Sequence, residues 1–308
     1  MRLLVLTGLI FFSGVFQAHP SFAETPSYPD EPLSPQDLSD DSGRLHETVL
    51  EKAHRLYNDG QREEALKEYE KAVRLDPNNA DTHFALGAVY RENKRFEEAV
   101  TELDEALKIN PVDSDALGLL ANTYMDLGET DEALQRFQEA LRITPNDFGL
   151  HYNLALAYSQ LGAQDQAITH YEEAVRLNPE FPEAFYNLGN AHYEKGDIGE
   201  AARQYRAALH LNPDFAPAVY NLGVCLMKMG DRVQAIGQYE RTLQLQPDYA
   251  EAAYNLGYAY LEDDRKEDAR KMFELFLEKG RSRFPEKIQD VEGELQKIKD
   301  IPPASGNS

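Results

Sequence analysis

Apolar and polar positions recur along most of this chain with a period of 34 residues. When each unit is numbered so that its proline is position 32, apolar or small residues fall at positions 4, 7, 8 and 11, the spacing of one helical face. In the unit 182–215 these residues are Phe185, Leu188, Gly189 and His192. A glycine and a polar residue follow at 196–197, and a second apolar face begins after them. Each unit is therefore predicted to form two helices joined by a short turn.

Two residue types mark this period most regularly. Alanine occupies position 20 of seven successive units: Ala65, Ala99, Ala133, Ala167, Ala201, Ala235 and Ala269. Proline occupies position 32 of six: Pro77, Pro111, Pro145, Pro179, Pro213 and Pro247. A unit of this length cannot bury its own apolar face, so the units must stack on one another. We expect one continuous array over residues 44–283.

Small residues predict how closely the two helices of a unit approach. Position 8 is Gly or Ala in every unit: Ala53, Gly87, Ala121, Ala155, Gly189, Gly223 and Gly257. Such a residue facing the alanine at position 20 lets the helix backbones come close together. Larger residues at positions 11 and 24, mostly Tyr, Leu or Phe, then fill the sides of the contact.

These positions resemble the tetratricopeptide repeat (TPR) family. The unit 182–215 is similar to its consensus at Leu188-Gly189, Ala201, Tyr205, Ala208 and Pro213. His192, where the family usually has tyrosine, and Lys52, where leucine is usual, depart from it. The resemblance implies an all-α fold, a right-handed α-solenoid in which helix pairs stack into a superhelix. It also implies that the first helix of each pair lines the concave side.

The N-terminal residues have the layout of a secretory signal peptide. Arg2 precedes a largely apolar run of 14 residues, 3–16, and Ser21-Phe22-Ala23 places small residues at positions −3 and −1 of a cleavage site. An uncleaved anchor is the alternative, but the run is shorter than the roughly 20 residues that cross a bilayer. We expect residues 1–23 to be removed and the protein to be periplasmic or secreted, with no membrane span afterwards.

The segments that flank the array have different patterns. Residues 24–43 contain four prolines among Ser, Asp and Glu, which predicts a disordered linker. Ile288, Val291, Leu295 and Ile298 follow a helical spacing, which predicts an amphipathic helix over 284–300. Such a helix would cap the last apolar face of the solenoid. The tail, 301–308, is predicted to be disordered.

Charge and motif content exclude several classes of function. The chain has 31 basic and 54 acidic residues and a net charge of −23, which disfavours nucleic acids and suits basic partner segments. No hydrolase, nucleotide-binding or EF-hand motif occurs, and the eight histidines show no metal-ligand spacing along the sequence. With Cys225 as the only cysteine, no intrachain disulfide forms. We therefore expect no catalytic site, no metal and no cofactor.

The candidate site lies on the first helices, opposite the face that packs into the core. Four successive units carry Tyr at position 5 and Asn at position 6, and two units carry Asn at position 9; these residues are Tyr152, Asn153, Tyr186, Asn187, Tyr220, Asn221, Tyr254 and Asn255, with Asn122 and Asn190. An asparagine amide both donates and accepts, as a peptide backbone does. A similar asparagine ladder lines the TPR groove of O-linked N-acetylglucosamine transferase, which implies peptide binding. The alternative is that these residues support packing between helices, and both interpretations remain open here.

A carboxylate clamp, the other TPR binding mode, is excluded by the residues present. Asn122 and Asn153 keep the spacing of its two asparagines, but Gly118 stands where its first lysine belongs. The sequence thus favours a scaffold that binds other proteins or peptides, as in an envelope or secretion assembly. The alternative is a recruiting subunit for a separately encoded enzyme, such as a glycosyltransferase or a protease. Co-purified partners would distinguish the two.

The signal peptide makes a direct prediction about the mature chain. N-terminal sequencing of the exported protein should begin at Glu24, because cleavage follows Ala23. A full-length product retained in the membrane would instead show that the segment is an anchor.

Overall fold

The structure is a computed structural model that describes residues 35–299, with side chains over residues 43–298. The predicted signal peptide (1–23) and tail (301–308) lie outside the described residues. Fifteen helices account for the secondary structure in this range, which contains no strand. They are α1 (Pro35–Asn58), α2 (Arg62–Leu75), α3 (Ala80–Glu92), α4 (Phe96–Ile109), α5 (Ser114–Leu127), α6 (Thr130–Ile143), α7 (Phe148–Gln160), α8 (Gln164–Leu177), α9 (Pro182–Lys195), α10 (Ile198–Leu211), α11 (Ala216–Lys228), α12 (Arg232–Leu245), α13 (Ala250–Glu262), α14 (Lys266–Gly280) and α15 (Pro285–Lys299).

The helices pack in the order of the sequence. Each odd-numbered helix from α1 to α13 packs against the next helix to form a unit, and the second helix of each unit packs against the first helix of the following one. First helices of neighbouring units also contact each other directly, as α3 does with α5 and α5 with α7. This stacking confirms the all-α solenoid that the repeat period predicted.

The turn inside each unit depends on one residue with left-handed backbone geometry. Glycine supplies it in five units, as at Gly196, where φ is 94°. Lys94 and Asp264 occupy the same place in the second and seventh units, with φ of 59° and 57°. An arginine follows each of these two residues, and its guanidinium lies over a tyrosine ring: Arg95 is 4.3 Å from the Tyr90 centroid. This cation–π contact helps to stabilise the turn, because left-handed backbone geometry is less favourable for a residue that has a side chain than for glycine.

The close contact within a unit is formed as the small residues predict. The alanine at position 20 is fully buried in all seven units. In the second unit, a Cβ atom on Gly87 would lie 3.3 Å from the Ala99 carbonyl oxygen and 2.8 Å from Leu103. In the last unit, a Cβ on Gly257 would lie 2.5 Å from the Phe273 ring. The large side chain at position 24 therefore packs directly on the backbone of the first helix.

Both ends of the array differ from the repeated unit. Helix α1 begins at Pro35, so residues 35–43, which the sequence suggested were disordered, are helical in the structure. Proline is tolerated in the first turn of a helix, so a helix that begins at Pro35 is compatible with the sequence. At the other end, α15 buries Val291, Leu295 and Ile298 against the core of the last units. No helix among residues 35–299 is long and apolar enough to cross a membrane.

The fully buried alanine predicts how the array responds to a larger side chain. Ala235→Leu should lower the free energy of unfolding by about 1–3 kcal/mol, because the added atoms have no space between α11 and α12. The matched control is Gly237→Leu in the same helix, where a Cβ meets nothing within 4 Å. Leucine is the better helix former, so this control should stabilise by up to about 0.8 kcal/mol. Chemical denaturation measures both, and equal effects would contradict the packing account.

Candidate functional site

The Tyr and Asn residues of the candidate site connect successive units. The Asn187 Nδ2 donates to the Tyr152 hydroxyl of the preceding unit at 2.7 Å. The same bond joins Asn221 to Tyr186 at 3.4 Å and Asn255 to Tyr220 at 2.9 Å. We call these six residues the Tyr–Asn ladder. It runs along the first helices α7, α9, α11 and α13, where the donor and the acceptor are always 35 residues apart.

Asn190 lies at the centre of this network. Its Oδ1 accepts from the Tyr205 hydroxyl at 2.7 Å and from the Asn221 Nδ2 at 3.0 Å. Its own Nδ2 faces the Asn187 Oδ1 at 3.4 Å. The bonds connect α9, α10 and α11, so the asparagine at position 9 joins two units and both helices of one of them. Much of its hydrogen-bonding capacity is therefore used inside the protein.

An aromatic residue that the sequence reasoning missed completes the joint between units. Each ladder tyrosine contacts the ring at position 34 of its own unit: Phe181 is 5.2 Å from Tyr152, and Phe215 is 4.9 Å from Tyr186. Tyr249 takes the same place beside Tyr220 at 5.0 Å. Ring pairs at these distances stabilise beyond the area they bury. The sequence carries a signal for this contact, because position 34 changes from Asn or Asp in the first three units to Phe or Tyr in the next three.

The earlier units use position 34 in a different way. There it is Asn79, Asp113 or Asp147, and each side chain accepts from backbone N–H groups at the start of the next helix. These are N-caps, which satisfy donors that the helix cannot. The joint between α3 and α5 instead has a largely buried ion pair, in which Arg91 Nε is 2.7 Å from Asp126 Oδ2. The array thus changes from polar caps to aromatic contacts at about its middle.

Burial keeps the ladder hydroxyls protonated. Desolvation raises the pKa of Tyr152, which is only 2% exposed, and it also raises the pKa of Tyr186. Asparagine does not titrate, so the hydrogen bonds of the ladder do not change across the physiological pH range. The ladder is a permanent part of the array.

Two candidate asparagines lie outside this network. Asn153 occupies the ladder position of its unit, but the preceding unit has Gly118 where a tyrosine would stand. Among the residues with described side chains, neither Asn153 nor Asn122 finds a hydrogen-bonding partner. Asn122 is half-buried on α5, and Asn153 is 8% exposed on α7. The junction of α5 and α7 therefore retains amide groups that are not used internally.

Tyr254 is the last candidate residue, and no unit with an asparagine at position 6 follows it. Its ring packs on Tyr258 at 4.9 Å and on Phe276 at 5.2 Å. The Lys287 Nζ of α15 lies 4.4 Å from the ring centroid. Helix α15 thus covers Tyr254, the last of the tyrosines at position 5.

The remaining surface of the first helices is largely apolar and only half-buried. The apolar side chains at positions 9 and 12 from α5 to α13 are Met125, Leu156, Tyr193, Val224, Met227, Tyr258 and Leu261. We call these residues the inner strip. The Lys228 Nζ lies 4.3 Å from the Tyr193 centroid and adds one charge beside it. Such a surface can contact apolar side chains of a partner.

Comparison with known proteins identifies the repeat. Family profiles described as TPR repeat match residues 53–94, 121–162, 158–196 and 189–230, and profiles described as tetratricopeptide repeat match 80–111, 102–135 and 220–283. Together they extend without a gap from residue 53 to residue 283. The chain belongs to the tetratricopeptide repeat family. TPR arrays are generally non-catalytic scaffolds for protein–protein interaction.

Several solved structures resemble this array over much of its length. YrrB, described as a TPR protein with an unusual peptide-binding site, is 25% identical, covers 61% of this chain and 96% of its own, and has a TM-score of 0.55. The C-terminal part of a TPR protein from Cytophaga hutchinsonii is 18% identical over 79% of this chain and 98% of its own, with a TM-score of 0.66. MamA from Desulfovibrio magneticus is 23% identical over 57% and 97%, with a TM-score of 0.53. No curated protein matches the sequence.

Two observations concern metal-binding and nucleophilic side chains within residues 43–298. The described residues contain no cluster of three or more His, Cys, Asp or Glu side chains that could hold a metal ion. Cys225 is fully buried, and burial raises the pKa of its thiol to about 11, so the thiol is protonated at neutral pH. The first helices of the array present hydrogen-bonding and apolar groups.

Removing the ladder hydroxyls tests their structural role. Tyr152→Phe and Tyr220→Phe should each lower the free energy of unfolding by about 0.5–1.5 kcal/mol, since an asparagine donor loses its acceptor while the ring contacts remain. Tyr193→Phe is the matched control, because within residues 43–298 the Tyr193 hydroxyl has no hydrogen-bonding partner. Urea denaturation provides the measurement. A control as destabilised as the ladder variants would contradict the role assigned to these bonds.

Proposed function

We propose that this TPR array binds an extended segment of another protein along its inner surface, centred on the junction of α5 and α7. The observation that carries the proposal is the difference among the asparagines. The side-chain amides of Asn187, Asn221 and Asn255 donate hydrogen bonds to the preceding unit, whereas those of Asn122 and Asn153 do not. The latter two could donate to and accept from a peptide backbone.

The surroundings of this junction favour apolar side chains in the bound segment. Leu119, Met125 and Leu156 are half-buried on α5 and α7 beside the two asparagines. Met adapts its shape readily to different partners, and such contacts add affinity without strict selection of sequence. The peptide-binding site attributed to YrrB supports this kind of function, because that protein is 25% identical to this chain. A net charge of −23 further favours segments with basic flanks.

We also propose that the protein acts outside the cytoplasm, after cleavage of residues 1–23. The support is the layout of that segment, with its short apolar run and its small residues before the cleavage site. A scaffold for an envelope or secretion assembly suits both this location and an extended binding surface.

The two asparagines without internal partners provide the test. Peptides are first selected from a random library on the wild-type protein, and their affinity is then measured by fluorescence anisotropy. Asn122→Ala and Asn153→Ala should each weaken binding by roughly fivefold, the equivalent of one hydrogen bond of about 1 kcal/mol. The melting temperature should remain nearly unchanged, because neither amide supports the array.

The matched control is Asn255→Ala on α13, whose amide is bonded to Tyr220. This variant should lower the melting temperature and leave peptide affinity close to that of the wild type. Selected peptides that carry N-methylated backbone amides should bind more weakly than the unmodified peptides. Wild-type affinity in an Asn122→Ala, Asn153→Ala double variant would contradict the proposed site, and binding that does not weaken with salt would contradict the preference for basic flanks.

A further inference from the structure

Folding brings two histidines of the fourth unit together. His151 on α7 and His170 on α8 are 19 residues apart in the sequence, but their Nδ1 atoms are 3.0 Å apart. The sequence expectation of no metal site depended on spacing along the chain. Helix pairing removes that separation, because the two residues stand on facing helices of one unit. We call them the histidine pair.

The hydrogen bond on the other side of His151 determines which of its nitrogens is free. Its Nε2 is 3.0 Å from the Pro145 carbonyl oxygen, which only accepts, so Nε2 carries the proton. In the neutral ring the Nδ1 lone pair then points at His170. A histidine that ligates a metal is commonly held in this way, with its other N–H donated to a backbone carbonyl.

His170 is held in place by its neighbours. Its ring stacks on Tyr158, with centroids 5.6 Å apart and planes 8° apart. Arg142 of α6 also lines the site. A metal ion binds an imidazole through an unprotonated nitrogen, so the fixed position of this ring keeps its Nδ1 atom beside that of His151.

A solvent-open depression lies beside the histidine pair. It has a volume of about 360 Å³ and is lined by the histidine pair together with Gln138, Leu141 and Arg142 of α6, Pro145, and Leu154 of α7. This space is large enough for an ion and the waters that complete its coordination. It opens to solvent between the third and fourth units, so an ion could enter without unfolding the array.

The other units show that this pair is particular to the fourth. In the second unit the equivalent residues are His83 and Glu102, whose Nδ1 and Oε2 atoms are 2.7 Å apart, with His83 Nε2 3.1 Å from the Pro77 carbonyl oxygen. The third unit has Leu117 and Arg136 at these positions, and the fifth has Phe185 and Gln204. The repeat therefore tolerates several residue types here, and no packing requirement selects two histidines.

We propose that His151 and His170 bind one divalent transition-metal ion, Zn²⁺, Ni²⁺ or Cu²⁺, through their Nδ1 atoms, with water as the remaining ligands. Imidazole is a preferred ligand of all three ions. Two nitrogens on a tetrahedral ion with bonds of about 2.0–2.1 Å are separated by about 3.3 Å, so the nitrogens need to move apart by a few tenths of an ångström, and each ring must also turn until its lone pair points at the ion. The proton on His170 Nδ1 leaves to solvent, and Nε2 takes one up. Binding by the neutral pair therefore releases no net proton, and a protonated imidazole releases one.

Isothermal titration of the protein with Ni²⁺ or Zn²⁺, in a buffer that does not chelate metals, tests the site. The wild-type protein should bind one equivalent near pH 7.5, with a rise in melting temperature that EDTA reverses. His170→Gln and His151→Leu place the residues of the fifth and third units at these positions, so both variants should fold. Each should reduce affinity by at least about tenfold.

His83→Leu is the matched control, since it removes the equivalent histidine of the second unit and should leave binding unchanged. Circular dichroism of each variant checks that the helices are retained. The proposal would be overturned if the wild-type protein bound no stoichiometric metal. It would also be overturned if His170→Gln bound as tightly as the wild type, or if His83→Leu alone abolished binding.

Discussion

The structure depends on the close approach of the two helices within each unit. At that contact the alanine at position 20 has no solvent exposure in any of the seven units. The small residue at position 8 lies directly under the ring or branched side chain at position 24, as Gly257 lies under Phe273. The resulting pairs have nearly the same shape, so one stacking geometry can repeat along the array.

The joints between units vary more than the pairs themselves. Units near the N-terminus use a polar cap at position 34 and charged contacts such as Arg91 with Asp126. Later units place an aromatic ring at position 34, beside a tyrosine whose hydroxyl bonds to the next unit. The change determines where amide groups remain unpaired within the array, because the ladder uses amide donors from Asn187 onward. The candidate peptide site lies where the first kind of joint gives way to the second.

The histidine pair lies on the unit at this same transition. His151 follows Asp147, the last polar cap at position 34, by four residues, and it packs against α8. Peptide contacts on α7 and metal ligation between α7 and α8 would therefore use different faces of one helix. In this unit the His151 side chain at position 4 contacts α8, whereas Asn153 at position 6 forms no hydrogen bond with that helix. One unit can carry both roles without conflict.

The sequence by itself determined the all-α fold, the pairing of helices and the family, because a 34-residue period with Ala at position 20 and Pro at position 32 allows one stacked arrangement. It also located the Tyr and Asn residues on one helical face. It did not decide between peptide binding and packing, since Asn187 has the same helical position whether its amide faces a ligand or Tyr152. Only the stacking of units, which brings side chains 35 residues apart within hydrogen-bonding distance, could distinguish Asn187 from Asn153. The histidine pair was hidden for the same reason: local periodicity specifies faces of helices, whereas contacts between faces depend on how the helices pack.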